Sequence, residues 1–177
     1  MLISIVIPAF NEAKYLPVSL EAAHRSRAVL GQAGWTSEVI VCDNNSTDET
    51  AAVARANGAR VVFEPFNQIA ASRNAAGLAA RGDWLVFVDA DTQVSPRLFR
   101  EMMRTMARDD CLGGGCPIIF DSGPWLGRHT VIVWNLTARI MRWAAGSFLF
   151  CRASAFHGLT ATSVLTVNGW SRLSGRS

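Results

Sequence analysis

The chain has 177 residues, 50% of them hydrophobic, and 17 Lys and Arg against 14 Asp and Glu give it a net charge of +3. That length supports one domain with a full core and excludes two comfortable ones. A charge this small, carried on isolated arginines, argues against a nucleic-acid partner. Cys42, Cys111, Cys116 and Cys151 form no C-x-x-C pair and have no histidine at ligand spacing, so they read as reduced, buried thiols and not as a zinc site or disulfide framework.

In chain order, apolar runs at residues 2–7, 39–42, Arg60–Phe63 and Trp84–Val88 alternate with helix-like segments. This is the pattern of a parallel sheet built from βαβ units, and it predicts an α/β fold with a mostly parallel central sheet flanked by helices. The first run, in "MLISIVIPAF", lacks a basic flank and is broken by Pro8, so it reads as a strand and not a signal peptide, and a cytoplasmic location is expected. In "STDE", Ser46 and Glu49 stand in capping-box register at the head of a helix that Gly58 should stop. Another helix is expected to end at Gly82. Ser95 and Pro96 should open the next, which runs to about Arg108.

Beyond Gly113 the signals weaken. "GGGCPIIF" predicts a strand after a glycine turn, and "GSFLFCR" another. Between them, "TVIVWNLTARIMRWAAG" reads as a helix apolar on most of its surface, which favours packing between partners over a role at a membrane surface. No stretch approaches the roughly 18 apolar residues of a spanning helix, so any membrane contact is expected to be peripheral, at the inner face. After Asp121 there is no Asp or Glu, while Arg128, Arg139, Arg142, Arg152, Arg172 and Arg176 lie there, a balance that fits an anionic partner.

In a parallel sheet, ligands sit beyond the carboxyl ends of the strands. Those positions are polar here: "PAFNE" (8–12) after the first strand, "DNNSTDE" (43–49) after the second, and Asp89 and Asp91 after the fourth. Side chains two apart on an extended segment project to the same side, so the two aspartates place like charges together. Such a pair needs a cation, a proton or hydrogen bonds to compensate it. Asp43 alone reads equally well as a turn former, Asp48 and Glu49 as first-turn helix acids, and Arg73 alone as a solvated helix residue. His24, His129 and His157 have no partner pattern.

"SIVIPAFNEAKYLPVSLEA", "EVIVCDNNSTDETAAVA", "ASRNAAGLAARGDWLVFVDADT" and "GSFLFCRASAF", in this order, resemble the family 2 glycosyltransferases over residues 2–156. The resemblance implies the GT-A, Rossmann-like nucleotide-diphospho-sugar transferase fold over residues 1–157, with a nucleotide-binding half over 1–92 and an acceptor-side half over 93–157. It implies inverting transfer of a sugar from a UDP- or GDP-sugar to a saccharide or lipid-linked acceptor. By the same resemblance Pro8, Ala9 and Glu12 lie along the nucleoside, Asp43 contacts the base, and Arg73 sits near the nucleotide. Asp89, Ala90 and Asp91 form the D-x-D element, with one carboxylate near the ribose and the other on a Mg²⁺ or Mn²⁺ ion at the diphosphate. Such an ion is held by one or two carboxylates plus phosphate oxygens, without a protein cage.

The family's general base, an acid after a "GGFDE"-like segment, has no counterpart where it should begin, after Phe156. The sequence continues "HGLTATSVLTVNGWSRLSGRS", and Asp121 is a weak substitute. A truncated or frame-shifted transferase with an atypical tail over 158–177 is therefore expected, in which donor binding survives and turnover is weak or lost. The alternative is a nucleotide-sugar-binding remnant or partner protein. Two other enzyme classes fit less well. The haloacid-dehalogenase-like phosphatases want Thr or Val where Gln93 stands, and the sugar nucleotidyltransferases need a glycine-rich basic loop where "PAFNEAKY" stands.

Overall fold

The computed structural model describes residues 1–116 and 147–160. Asp121, the apolar segment 130–146 and the tail from residue 161 lie outside them. The described elements run β1 (Leu2–Ala9), α1 (Leu16–Gln32), β2 (Thr36–Asp43), α2 (Thr50–Ala56), β3 (Arg60–Phe63), α3 (Ile69–Ala79), β4 (Trp84–Val88), α4 (Pro96–Met106), β5 (Gly113–Gly115), β6 (Phe148–Arg152) and α5 (Ala153–Thr160). The strands form one six-stranded sheet in the order β3-β2-β1-β4-β6-β5. β1 to β4 are parallel, while β6 runs antiparallel to β4 and β5 antiparallel to β6.

Because side chains alternate across a strand, each strand feeds two cores. On one face Ile3, Ile5, Ile7, Val39, Val41 and Val86 meet Leu16 and Leu20 of α1, Ala54 of α2, and Phe99 and Met102 of α4. On the other, Val6, Ile40, Cys42, Leu85, Phe87 and Cys151 meet Ala76 of α3 and Phe156 of α5. Burial on both faces explains why the central strands read as unbroken apolar runs. Phe87 and Phe156 pack with ring centroids 5.7 Å apart, and each such buried ring contributes about 2–3 kcal/mol by leaving water.

The helix boundaries show where local signals held and where they gave way. Ser95 caps α4 as expected, its Oγ accepting the Leu98 N–H at 3.2 Å. Gly58, at φ 76°, stops α2 in the left-handed conformation that suits glycine. The capping box does not form: the Ser46 hydroxyl accepts the Asn11 N–H at 3.0 Å, and α2 starts only at Thr50. Its first turn is served instead by Asp48, whose Oδ1 accepts the Thr50 N–H at 3.0 Å. Nor does Gly82 end a helix, since α3 stops at Ala79 and Ala80 is extended. Gly82 is needed for a close crossing, because a Cβ there would lie 2.6 Å from the Ser4 nitrogen and 2.8 Å from the Trp84 carbonyl oxygen.

Chain order along the sheet reverses at β1: the path runs outward through β2 and β3, then returns to β4 on the other side. The carboxyl ends of β1 and β4 therefore flank a topological switch point, the place where open α/β sheets hold ligands.

Candidate donor-binding cleft

A cleft of about 340 Å³ opens at that point. β1 and the loop after it bring Pro8, Ala9 and Glu12 to its wall, and the end of β4 brings Asp89, Ala90 and Asp91. The two other residues singled out in the sequence stand behind the wall. Asp43 is buried, 7% exposed, at the end of β2, and its Oδ1 accepts the Ser46 N–H at 3.1 Å, so it holds the turn that it was equally well read to form. Arg73, on α3, reaches the site through its guanidinium, 2.6 Å from Asp89 Oδ1.

This contact separates the two aspartates. Asp89 is half-buried, paired with Arg73, and its N–H donates to the Ser147 carbonyl at 3.1 Å. Asp91 is exposed and has no ion pair among the described residues. Opposite it, the Glu12 carboxyl is held above the usual carboxylate range, by partial burial first and then by the negative charges of Asp91 and Asp48. Carboxylates that repel one another across a cleft make a place where a cation lowers the energy.

The loops after β1 and β2 are joined side by side. Besides the Asn11–Ser46 bond, the Thr47 N–H donates to Asn11 Oδ1 at 2.8 Å, the Glu12 N–H to Thr50 Oγ1 at 2.8 Å, and the Ala13 N–H to Asp48 Oδ2 at 3.2 Å. Asn11 and Asn45 have φ of 55° and 62°, the left-handed region in which asparagine is the least disfavoured residue after glycine.

Four further residues line the cleft that sequence reasoning missed: Phe10, Asn44, Ile69 and Ser72. Asn44 had a signal, since it follows the second strand. With its amide turned to satisfy both groups, it donates to the Phe66 carbonyl at 2.5 Å and accepts the Gln68 N–H at 3.1 Å, fixing the loop before α3. Ser72 had none, being a small residue in a run of alanines, yet it is fully buried at the cleft wall. Phe10 and Ile69, 45% and 55% exposed, give the cleft an apolar rim.

Among the described residues no group of three or more His, Cys, Asp or Glu could hold a metal by itself. The donor set fits a hard divalent ion that takes most of its oxygens from a phosphate ligand: exposed Asp91 supplies a carboxylate, and Asp89 has one oxygen committed to Arg73. No described helix is long and apolar enough to cross a membrane.

Residues 4–159 match the family model described as glycosyl transferase family 2. The chain belongs to that family. Among its relatives, an uncharacterised glycosyltransferase of Mycobacterium tuberculosis (strain ATCC 25618 / H37Rv) is 33% identical over 143 residues, covering 77% of this family 2 chain and 60% of the relative. One from Rickettsia prowazekii is 35% identical over 82 residues, covering 46% of this chain and 28% of the relative. The chain thus spans about 60% of the length of its mycobacterial relative. The fold is the GT-A type. Mannosyltransferase PcManGT from Pyrobaculum calidifontis, solved with GDP-Man and Mn²⁺, superposes with a TM-score of 0.69 at 18% identity, over 97% of this chain and 50% of that one. Glucosyl-3-phosphoglycerate synthase from Mycobacterium tuberculosis, solved with UDP, does so at 0.62 and 20% identity, over 86% and 57%.

Proposed function

We propose that this chain carries the donor site of an inverting, metal-assisted glycosyltransferase that moves a hexose from a UDP- or GDP-sugar to an acceptor hydroxyl. The observation that carries this reading is the unequal state of the D-x-D pair: Asp89 is held by Arg73, whereas Asp91 stands exposed opposite Glu12. Asp89, fixed and able to accept hydrogen bonds, suits a sugar hydroxyl of the nucleotide. Asp91 suits Mg²⁺ or Mn²⁺ at the diphosphate, which when bound offsets charge developing on the departing nucleoside diphosphate. Pro8 and Ala9 shape the wall against the nucleoside, and buried Asp43 holds the turn that brings Asn44 to the base side of the cleft. In the transfer, the acceptor oxygen bonds to the anomeric carbon from the face opposite the diphosphate, the carbon–oxygen bond to the diphosphate breaks, and the acceptor proton passes to a base.

Residues 122–177 contain no Asp or Glu, and that observation favours a second reading: a nucleotide-sugar-binding protein impaired in turnover for want of a base. Asp121, the weak candidate for that base, lies outside the described residues. Titration calorimetry with UDP and GDP, with and without Mn²⁺, tests the donor site. Metal-dependent binding of one of them is expected, and binding of neither at millimolar ligand sinks the proposal. Incubation with labelled UDP-glucose or GDP-mannose and a membrane extract then separates the two readings, because only a competent transferase sustains sugar transfer.

A further inference from the structure

We propose that Thr50, the first residue of α2, is a positioning residue for the cleft, holding Glu12 in place through its buried hydroxyl. This inference rests on the donor-site reading above and deepens it.

Thr50 is fully buried. A hydroxyl in the first turn of a helix ordinarily serves its own helix end. Here the helix end does not need it, because Asp48 Oδ1 already accepts the Thr50 N–H at 3.0 Å. The Thr50 hydroxyl instead looks 38 residues back along the chain: Oγ1 accepts the Glu12 N–H at 2.8 Å and donates its own proton to Asp48 Oδ1. The other Asp48 oxygen takes the Ala13 N–H at 3.2 Å, so two successive amides of the loop after β1 hang from this pair. That carboxyl lies below the usual aspartate range, chiefly through the hydroxyl of Thr50, so it stays ionised and keeps the hydroxyl oriented.

The carbonyl of Glu12 is committed as well, accepting the N–H groups of Tyr15 and Leu16 at 3.0 and 2.9 Å as α1 begins. With both backbone groups of Glu12 fixed, only its side chain is left to answer the cleft. Left-handed Asn11 precedes it, and its side chain is taken by Thr47. The loop would relax from this sparsely populated conformation if its far partner let go.

The test uses the full chain and four variants. Thr50→Val removes the hydroxyl at nearly constant volume, and Thr50→Ser keeps it. Asp48→Asn removes the charge that orients it. Gly58→Ala strains the opposite end of α2, at φ 76°, without touching the loop, and so controls for helix stability. UDP and GDP are titrated with Mn²⁺, and hydrogen exchange is followed for the amides of residues 10–16. Thr50→Val should bind about tenfold more weakly and exchange faster, and Asp48→Asn should lose about threefold. Thr50→Ser should stay within about twofold of the parent, and Gly58→Ala should bind normally at a comparable loss of thermal stability. Normal affinity in Thr50→Val or Asp48→Asn, or a tenfold loss in Gly58→Ala, overturns this inference and leaves the donor-site reading standing. A parent chain that binds neither nucleotide overturns both. Should Thr50→Val fail to fold, Asp48→Asn and Thr50→Ser still decide.

Discussion

Two glutamates at opposite edges of the same sheet have opposite chemistry. At the amino edge, Glu38 of β2 accepts the Ser4 hydroxyl at 2.6 Å and the Arg81 N–H at 2.8 Å on one oxygen and Arg60 at 3.1 Å on the other. Burial acts to raise its carboxyl, but these hydrogen bonds outweigh it and hold the group below the usual range. At the carboxyl edge, Glu12 is held above that range, by burial and then by Asp91 and Asp48. Glu38 is satisfied by its own chain, whereas the carboxyl of Glu12 has no hydrogen-bond or ion-pair partner among the described residues. A residue used for structure and one used for binding differ here less in type than in whether their charge is already answered.

The strongest way to break this contrast is Asp91→Ala. If Asp91 is the metal-side carboxylate, Mn²⁺-dependent affinity for a nucleoside diphosphate should fall by about two orders of magnitude, since even outer partners of a metal site are worth 10–100-fold. Calorimetry with and without Mn²⁺ checks it, and an unchanged metal dependence would falsify the assignment. Glu38→Ala should do the reverse. It leaves the Ser4 hydroxyl and the Arg81 amide without their acceptor and Arg60 with the Ala79 carbonyl but no ion pair, a loss of about 2 kcal/mol once partial exposure is discounted. A fall in melting temperature of about 4–8 °C with nucleotide affinity intact is the expected result, read by calorimetric melting.

Glu12→Gln has the smallest effect and the most informative sign. A carboxyl raised in the folded state binds its proton more tightly there, so its contribution to stability is present at acid pH and is lost as pH rises through the folded value. Near pH 7 the ionised group opposes folding. Glu12→Gln should therefore melt at or slightly above the parent temperature near pH 7, with the difference vanishing toward about pH 4. Glu38, lowered in the folded state, should show the opposite trend, losing its contribution as pH falls. A destabilised Glu12→Gln would mean that Glu12 is answered internally after all, like its counterpart.

Much of the molecule was legible in its sequence because the dominant forces are periodic. Strands buried on both faces are continuous apolar runs, so β1 to β4 and β6 could be read directly. The Ser95–Pro96 start and the Gly58 stop were readable because each depends on one residue and its own turn. Ser46 and Gly82 misled for a common reason. Each carries a strong local signal, but Ser46 is taken by a loop 35 residues away and Gly82 by a strand 78 residues away. Within the cleft, carboxylates at strand ends stood out as charges that a buried strand has no use for. Thr50 and Ser72 did not, since a hydroxyl among alanines says nothing until the fold shows what faces it.

The joined loops after β1 and β2 also bear on how such a site can be rebuilt. The amides of Asn11, Glu12 and Ala13 take their acceptors from the side chains of Ser46, Thr50 and Asp48, and Asn11 returns an acceptor to Thr47, so each loop leans on the other as well as on its own turn. Transplanting residues 43–50 alone from another transferase would take away the side-chain acceptors of three amides in the first loop, and transplanting 9–15 alone would take away the Asn11 oxygen that accepts the Thr47 N–H. Segments 9–15 and 43–50 form one cassette, and chimaeras intended to change the donor should exchange them together.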